Sequence, residues 1–192
     1  MKRLAVFLVL LGVVCTPRAF GQDHFSVGAY ADYFRLAQTD SNFTGLGARA
    51  GFALSPHLML EAEMSYDFNQ TFTENFSNGT TTIAQQRSNL RLLHGLIGPK
   101  LALGHSNFHP FVTVKGGGLD AMFDTAPATV GTFLSSVANL RSQNVMGVLY
   151  PGGGVEGHVG PIGLRLDVGD EIYFSNGAHS NLRVAFGPYI RF

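Results

Sequence analysis

The feature that most constrains this chain is an alternation of apolar and polar side chains with a period of two. It is clearest over residues 58–68, where leucine, alanine, methionine and aromatic residues alternate with glutamate, serine and aspartate. Successive side chains of a β-strand point to opposite faces of a sheet, so this period predicts a strand with one apolar and one acidic face. Residues 46–54 and 162–168 show the same alternation, with glycines and isolated charges on the polar face.

Five further segments alternate as well, most of them less regularly, and bring the number of predicted strands to eight. They are residues 25–34, 90–103, 110–119, 145–159 and 182–192. The 24 glycines occur without a Gly-X-Y period, which excludes a collagen-like chain, and a hydrophobic content of 45% argues against wholesale disorder. Lys and Arg number 13, as do Asp and Glu, so no basic excess points to a nucleic-acid partner.

The N-terminal segment has the composition of a secretory signal. Lys2 and Arg3 precede an apolar run over residues 4–14, and small residues precede position 22. This run is shorter than the roughly 20 residues that a membrane-spanning helix needs. We therefore predict a cleaved signal peptide over residues 1–21 and one exported domain over residues 22–192.

The predicted connections alternate between long and short. The long ones are residues 36–44, 70–88 and 124–142, the short ones are residues 55–57, 104–109 and 160–161, and residues 175–181 form one of moderate length. In an antiparallel up-and-down meander, odd and even connections lie at opposite ends, so one end is expected to be trimmed and the other elaborated. The long connections are rich in Asn, Thr, Ser and Gly and are expected to be flexible, water-facing loops.

Two architectures can bury eight alternating strands. A soluble barrel or sandwich turns its apolar face inward, whereas a transmembrane barrel turns that face to lipid and fills its lumen with the polar face. Here the polar face carries small residues and charges of nearly balanced sign, which favours a crowded lumen in which unpaired charges would be costly. The predicted lumenal charge network comprises Arg49, Glu61, Glu63, Asp67, Lys100, Lys115, Glu156, Arg165, Asp167, Glu171 and Arg183.

The C-terminal part of the chain resembles a known family. Residues 187–192 end on an aromatic residue, and Gly187, Ile190 and Phe192 resemble the signal by which outer-membrane barrels are recognised for insertion. Residues 96–100, 109–112, 152–156 and 164–167 resemble the later strands of the small eight-stranded outer-membrane β-barrels, the group of the OmpA transmembrane domain and OmpX. The resemblance covers residues 22–192.

This resemblance implies an all-β fold, an eight-stranded antiparallel up-and-down transmembrane β-barrel in a bacterial outer membrane. Outer-membrane lipid and the barrel-insertion machinery are then its expected partners. No peptidoglycan-binding domain follows the barrel segment, so anchoring to the cell wall is not expected. Since tryptophan is absent, the aromatic girdle is expected to use Tyr33, Tyr66, Phe68, Tyr173 and Phe174.

The strand number limits the function. An eight-stranded lumen is about wide enough for side chains to fill it, which argues against a general diffusion porin. We expect a monomer with a structural or surface-interaction role, a lumen closed by ion pairs and an unknown ligand at the long loops. A narrow ion-conducting pore along the charged positions remains an alternative. No cofactor, metal or catalytic residue is predicted.

An enzyme is the competing class. Some small outer-membrane barrels remove acyl chains from lipid A with a His/Ser pair, and the chain contains His105–Ser106 and His179–Ser180. Adjacent residues of a strand point to opposite faces, which disfavours a direct hydrogen bond within either pair.

Histidines cluster in sequence near the short turns. His24, His57, His105, His109 and His158 are all expected at that end of the barrel. Capture of a transition metal there stays open, although separate turns need not converge on one ion.

Overall fold

A computed structural model describes residues 24–77, 82–104, 106–123 and 145–192. The predicted signal peptide and the third long connection therefore lie outside the described residues. The strands are β1 (Phe25–Leu36), β2 (Ser41–Ala53), β3 (Leu58–Ser77), β4 (Thr82–Ala102), β5 (Phe108–Phe123), β6 (Val145–Val159), β7 (Ile162–Asp170), β8 (Ile172–Phe174), β9 (Ala178–His179) and β10 (Leu182–Arg191). The described ranges contain no helix with the length and apolar character needed to cross a membrane.

The strands close into a barrel. Each is antiparallel to its neighbours, and β10 pairs with β1 while β5 pairs with β6, so no side of the sheet is left open. β7 and β8 both pair with β6 and together form one strand of the barrel, which is interrupted at Glu171. β8 and β9 form the tip of the hairpin that leads into β10. The result is the predicted eight-stranded antiparallel barrel.

The sheet has its apolar face outside. Leu46, Met64 and Leu164 are 60%, 60% and 55% exposed, whereas Glu63 and Arg165, on the opposite face, are 7% and 4% exposed. A soluble barrel would reverse this arrangement, because its oily side chains would be the ones removed from water. The structure therefore has the sidedness of a barrel that is solvated by lipid.

Two of the predicted long connections are wrong. β1 ends at Leu36 and β2 begins at Ser41, so the segment 36–44 contains only a tight turn in which Asp40 has a φ of 49°. Segment 70–88 is mostly a strand hairpin, in which the β3–β4 ladder continues to the pair Ser77–Thr82. Polarity suggested loops, but the ladder requires only paired backbone groups, and Thr and Phe are good strand formers.

The opposite end is trimmed, as predicted. Val159 pairs with Ile162 across a two-residue turn, and Gly160 at its first position has a φ of 61°, which glycine adopts without steric cost. We call this the short-turn end and the other the long-loop end.

The expected aromatic girdle is only partly outside. Phe68 and Phe174 are 49% and 48% exposed, whereas Tyr173 is fully buried in the interior. Tyr173 has the same parity along the chain as Arg165 and Asp167, so the alternation itself turns it inward. Its assignment to the girdle was wrong.

Candidate functional site: the barrel interior

The interior of the barrel holds many buried charges. All eleven positions of the predicted lumenal network lie there and are at most 9% exposed. They lie on β2 to β7, on β10 and at the break between β7 and β8. Asp32, His94 and His109 are buried among them and were not predicted. We call these fourteen residues the charge network.

Arg183 is the most highly connected cation of the network. Its Nε donates hydrogen bonds to both carboxylate oxygens of Asp32 at 3.0 Å, and its Nη1 donates to Glu63 at 3.0 Å and to Glu171 at 3.1 Å. Its Nη2 also donates to Ser65 Oγ at 3.0 Å. One guanidinium thus joins β10 to β1, to β3 and to the β7–β8 break. Its planar fork of five donors allows this.

Lys115 and Arg165 hold the centre of the lumen. Lys115 Nζ donates to Glu63 at 2.6 Å. Arg165 donates to Glu61 through Nη1 at 2.5 Å and to Asp167 through Nη2 at 2.6 Å. The Lys115–Glu63 and Arg165–Glu61 contacts join different strands across the lumen, whereas Arg165 and Asp167 lie on the same strand, β7.

A second group lies nearer the short-turn end. Lys100 Nζ donates to Glu156 at 2.7 Å and lies 3.2 Å from Glu61. The same Glu156 is 2.9 Å from His109 Nε2. Arg49 lies 3.5 Å from an oxygen of Asp167 and stacks over the ring of Tyr30.

His94 lies between two carboxylates. Its Nδ1 is 2.6 Å from Glu171 and its Nε2 is 3.0 Å from Asp67. A carboxylate only accepts hydrogen bonds, so an imidazole with a proton on both nitrogens satisfies both contacts. The sequence did contain a signal for this residue, because His94 has the same parity as Lys100 along one predicted strand.

The carboxylates of the network are all paired. Its seven carboxylates each lie within 4.0 Å of a cation or a histidine, and they face five Lys and Arg residues together with His94 and His109. An unpaired charge at this depth would cost several kcal/mol, so such pairing is what permits the network to be buried.

A second, uncharged layer lies between this network and the long-loop end. Eight side chains of this layer are fully buried, and we call them the apolar layer: Phe34, Leu36, Phe43, Leu90, Leu92, Leu119, Met146 and Tyr173. At the side of this layer nearer the long-loop end, the hydroxyl of Tyr173 donates a hydrogen bond to the side-chain oxygen of Gln38. This apolar filling of the lumen was not predicted from the sequence.

Tyrosine rings cover glycines on the inner wall. An added Cβ at Gly47 would lie 2.2 Å from the Tyr30 ring, and one at Gly169 would lie 2.6 Å from the Tyr150 ring. The flat ring therefore lies directly on a strand that has no side chain at that point. This close packing fills the interior beside the charges.

The His/Ser pairs do not form the geometry of an activated nucleophile. Ser180 Oγ donates to Asp170 at 2.6 Å, while the His179 ring contacts Gln38 at 2.8 Å and the carbonyl oxygen of Ser175 at 3.1 Å. Of the other pair, His105 lies outside the described residues, and Ser106 Oγ donates to the carbonyl oxygen of Phe108.

Four of the five turn histidines do reach one place. His24, His57, His109 and His158 line a single cavity at the short-turn end, and His105 is not described. Nevertheless, no group of three or more metal-ligating residues within the described ranges is placed to hold an ion.

The residues of the expected insertion signal lie on and after the last strand. Ile190 and Phe192 face outward and are 44% and 48% exposed. Gly187 faces inward where β10 and β1 approach closely, and an added Cβ would lie 2.0 Å from the carbonyl oxygen of Ala29.

Comparison with known proteins identifies the fold. No protein-family model matches the chain, and no curated protein matches it in sequence. Among solved structures, Ail, the attachment invasion locus protein of Yersinia pestis, in complex with the heparin analogue sucrose octasulfate, is 13% identical with a TM-score of 0.50, over 88% of this chain and 96% of that one. Neisserial surface protein A (NspA) is 14% identical with a TM-score of 0.50, over 88% and 97%. At these identities the similarity concerns the fold, which is that of the small eight-stranded outer-membrane β-barrels.

Proposed function

We propose that this protein is a monomeric integral protein of a bacterial outer membrane, exported with a cleaved signal peptide and inserted by the barrel-insertion machinery. The short-turn end faces the periplasm and the long-loop end faces the outside, which is the usual orientation of such barrels. The outward apolar face supports this proposal, because a surface with Leu46, Met64 and Leu164 more than half exposed is stable against acyl chains and unfavourable in water.

Membrane fractionation tests the location. The protein should remain in the outer-membrane fraction after washes with high salt and with alkaline carbonate, and should dissolve only in detergent. Unheated samples should also migrate differently from boiled samples on a denaturing gel, because a closed barrel resists unfolding by detergent. Complete release of the protein by salt alone would contradict integral insertion.

We further propose that the lumen is closed and that the barrel acts as a scaffold. The lumen is filled at two levels, first by the charge network and then by the apolar layer, and both support this proposal. An ion that crosses the first must compete with pairs such as Lys115–Glu63 at 2.6 Å, and in the second it meets fully buried hydrocarbon, which excludes water. A narrow pore is the less favoured alternative.

Recordings in planar bilayers distinguish a scaffold from a pore. The refolded wild-type protein should give no discrete conductance steps, while a large porin in the same bilayers serves as the positive control. Lys115→Met probes the centre of the lumen, and Arg35→Gln, at an exposed pair with Asp40, is its control. Wild-type steps that change in Lys115→Met and persist in Arg35→Gln would establish a pore and overturn the closed lumen.

The surface role is proposed for the β3–β4 hairpin. Pairing between β2 and β3 ends at Gly45–Asp67, while the β3–β4 ladder continues to Ser77–Thr82, so the hairpin extends beyond its β2 neighbour at the long-loop end. Such a projection carries the hairpin away from the membrane surface, where a partner can reach it.

Shortening this hairpin tests the surface role. Bacteria that display the wild-type protein should adhere to a cultured epithelial monolayer better than bacteria that display a variant with residues 72–86 replaced by a tight turn. Equal heat-modifiable barrel in both outer membranes is the control for folding. Equal adhesion at equal display would contradict a role for the hairpin and leave only the scaffold.

A further inference from the structure

The wall of the barrel is interrupted at two places that lie on opposite sides of the lumen. On β3, the ladder with β4 loses its pairs between Asp67 and Gln70 and changes register there, at the base of the projecting hairpin. On the other side, Glu171 interrupts the strand that β7 and β8 form together. Regular strand pairing is lost at both places, which leaves more of the local stability to side chains.

His94 joins these two places. Its Nδ1 lies 2.6 Å from Glu171 Oε1, and its Nε2 lies 3.0 Å from Asp67 Oδ2. All three residues are at most 1% exposed. The ring of Phe34, a member of the apolar layer, lies 5.0 Å from the imidazole. The contact therefore crosses the lumen at the level where the charge network meets the apolar layer.

These two contacts require two protons. A carboxylate only accepts hydrogen bonds, and a neutral imidazole donates through one nitrogen alone. The proton on Nδ1 serves Glu171, and a second proton lies between Nε2 and Asp67. Without this second proton, the lone pair of Nε2 and the carboxylate of Asp67 would face each other at 3.0 Å.

Asp67 depends on that proton more than the other carboxylates of the network do. Among the described residues, His94 is the only basic side chain within 4.0 Å of it. Its second oxygen, Oδ1, is buried and has no hydrogen-bond partner in the described part of the chain. A buried carboxylate without a partner is strongly unfavourable, so loss of the proton should displace Asp67 from its position.

The surroundings of His94 offer no replacement for the lost charge. The charged groups that face it are Asp67 on β3, Asp32 on β1, Glu171 at the β7–β8 break and Arg183 on β10. Its partner across the ladder to β5 is Leu119, which carries no charge. Arg183 is the one permanent cation of this group, and it already donates to Asp32 and Glu171.

We propose that Asp67, His94 and Glu171 form a proton-dependent latch that holds the base of the β3–β4 hairpin to the opposite wall of the barrel. With both protons present the latch is closed, and Asp67 is fixed where the ladder is interrupted. When the second proton is lost, Asp67 moves away from the imidazole and the interrupted stretch of β3 becomes mobile. The latch requires only the barrel fold, and it depends neither on the closed lumen nor on the surface role.

Spin labelling measures the state of the latch. The single cysteine, Cys15, lies in the predicted signal peptide, so a nitroxide on Asn69→Cys is the only label on the mature chain. Asn69 is exposed and lies within the interrupted stretch of β3. In refolded mature protein, the label should be restricted at about pH 6 and mobile at about pH 10, which lie on either side of the range in which histidines usually titrate.

Three variants, each with the same label, assign the change. His94→Gln has no proton to lose, and the label should be mobile at both pH values. Asp67→Asn places an amide that can donate to a bare Nε2, so the label should stay restricted at both. His179→Gln removes a histidine outside the latch and should retain the wild-type change. Opposite effects of His94→Gln and Asp67→Asn are not expected if these residues only fill space.

Heat-modifiable migration at each pH shows that the barrel is folded. A label that is equally restricted at both pH values in the folded wild type would overturn the proposal. So would a wild-type pH change that persists in Asp67→Asn, and this variant decides the question alone if His94→Gln does not fold. None of these results depends on membrane insertion, adhesion or conductance, so the proposed function would stand or fall separately.

Discussion

Arg183 and Asp32 form a bidentate ion pair across the seam that closes the barrel, where β10 pairs with β1. Arg183 is on the last strand and Asp32 on the first, and the guanidinium meets the carboxylate at 3.0, 3.0 and 2.8 Å. Both side chains are almost fully buried. The first and last strands are thus joined inside the lumen by a pair that only the closed barrel can form, since the residues are 151 positions apart.

Removing the cation of this pair should destabilise the barrel strongly. Arg183→Met leaves the carboxylates of Asp32, Glu63 and Glu171 facing one another without it, and loss of one partner of a buried pair costs about 3–5 kcal/mol. The free energy of unfolding in urea, followed by the heat-modifiable gel band in detergent, measures the effect.

The control for that variant is Arg35→Gln, which removes a cation from the first strand, the strand that carries Asp32. Arg35 pairs with Asp40 at 2.5 Å, but the two side chains are 52% and 78% exposed. An exposed pair contributes at most about 1 kcal/mol, so this variant should unfold almost as the wild type does. Equal losses in the two variants would show that the lumenal pair has no special role.

Substitution of a glycine at the same seam should also destabilise the barrel. In Gly187→Ala, the added Cβ would lie 2.0 Å from the carbonyl oxygen of Ala29 and 2.5 Å from Tyr30 Cα, so backbone would have to move. We expect a loss of at least about 1–3 kcal/mol, the usual cost of overpacking. Gly95→Ala is the control, because an added Cβ there meets nothing within 4 Å. Urea unfolding of both variants checks the difference, and a neutral Gly187→Ala would contradict the close approach of the strands.

The sequence was sufficient to predict the strands and the lumenal charges because both follow from parity. Once Leu60 is assigned to one face, Glu61 and Glu63 must lie on the other. A charge also identifies the interior of a membrane barrel without knowledge of the strand register. All eleven predicted positions could therefore be found from the alternation.

The apolar layer could not be predicted from the polarity of its residues. Leu92 is fully buried in the lumen and its neighbour Leu93 has the opposite parity, so the strand is apolar on both faces where it passes through this layer. Alternation disappears there, so polarity does not distinguish the two leucines, and Leu92 is assigned to the interior only through the parity that it shares with Lys100 on the same strand. The long hairpin was missed for the converse reason, since polar side chains outside the hydrocarbon do not interrupt backbone pairing.

The aromatic C-terminal residue should affect assembly more than stability. Phe192 is 48% exposed and its ring centroid lies 6.4 Å from that of Phe25, which is 41% exposed. Phe192→Ala should slow insertion by the reconstituted barrel-insertion machinery, while Phe25→Ala, which disrupts the same ring contact, should insert at the wild-type rate. Similar free energies of unfolding for the two variants would separate recognition from packing. Equal insertion rates would argue against a signal at Phe192.

Ser180 should behave as a structural residue rather than as a nucleophile. Its hydroxyl donates to Asp170 at 2.6 Å, and the same carboxylate accepts the backbone N–H of Asn181 at 2.8 Å, so it fastens the chain at the start of the last strand. Ser180→Ala should lower the free energy of unfolding by about 0.5–1.5 kcal/mol, the usual net contribution of one hydrogen bond. Purified wild-type protein incubated with lipid A should release no more fatty acid than Ser180→Ala does, by mass spectrometry. Release by the wild type that disappears in both Ser180→Ala and His179→Ala would identify an acyl hydrolase instead.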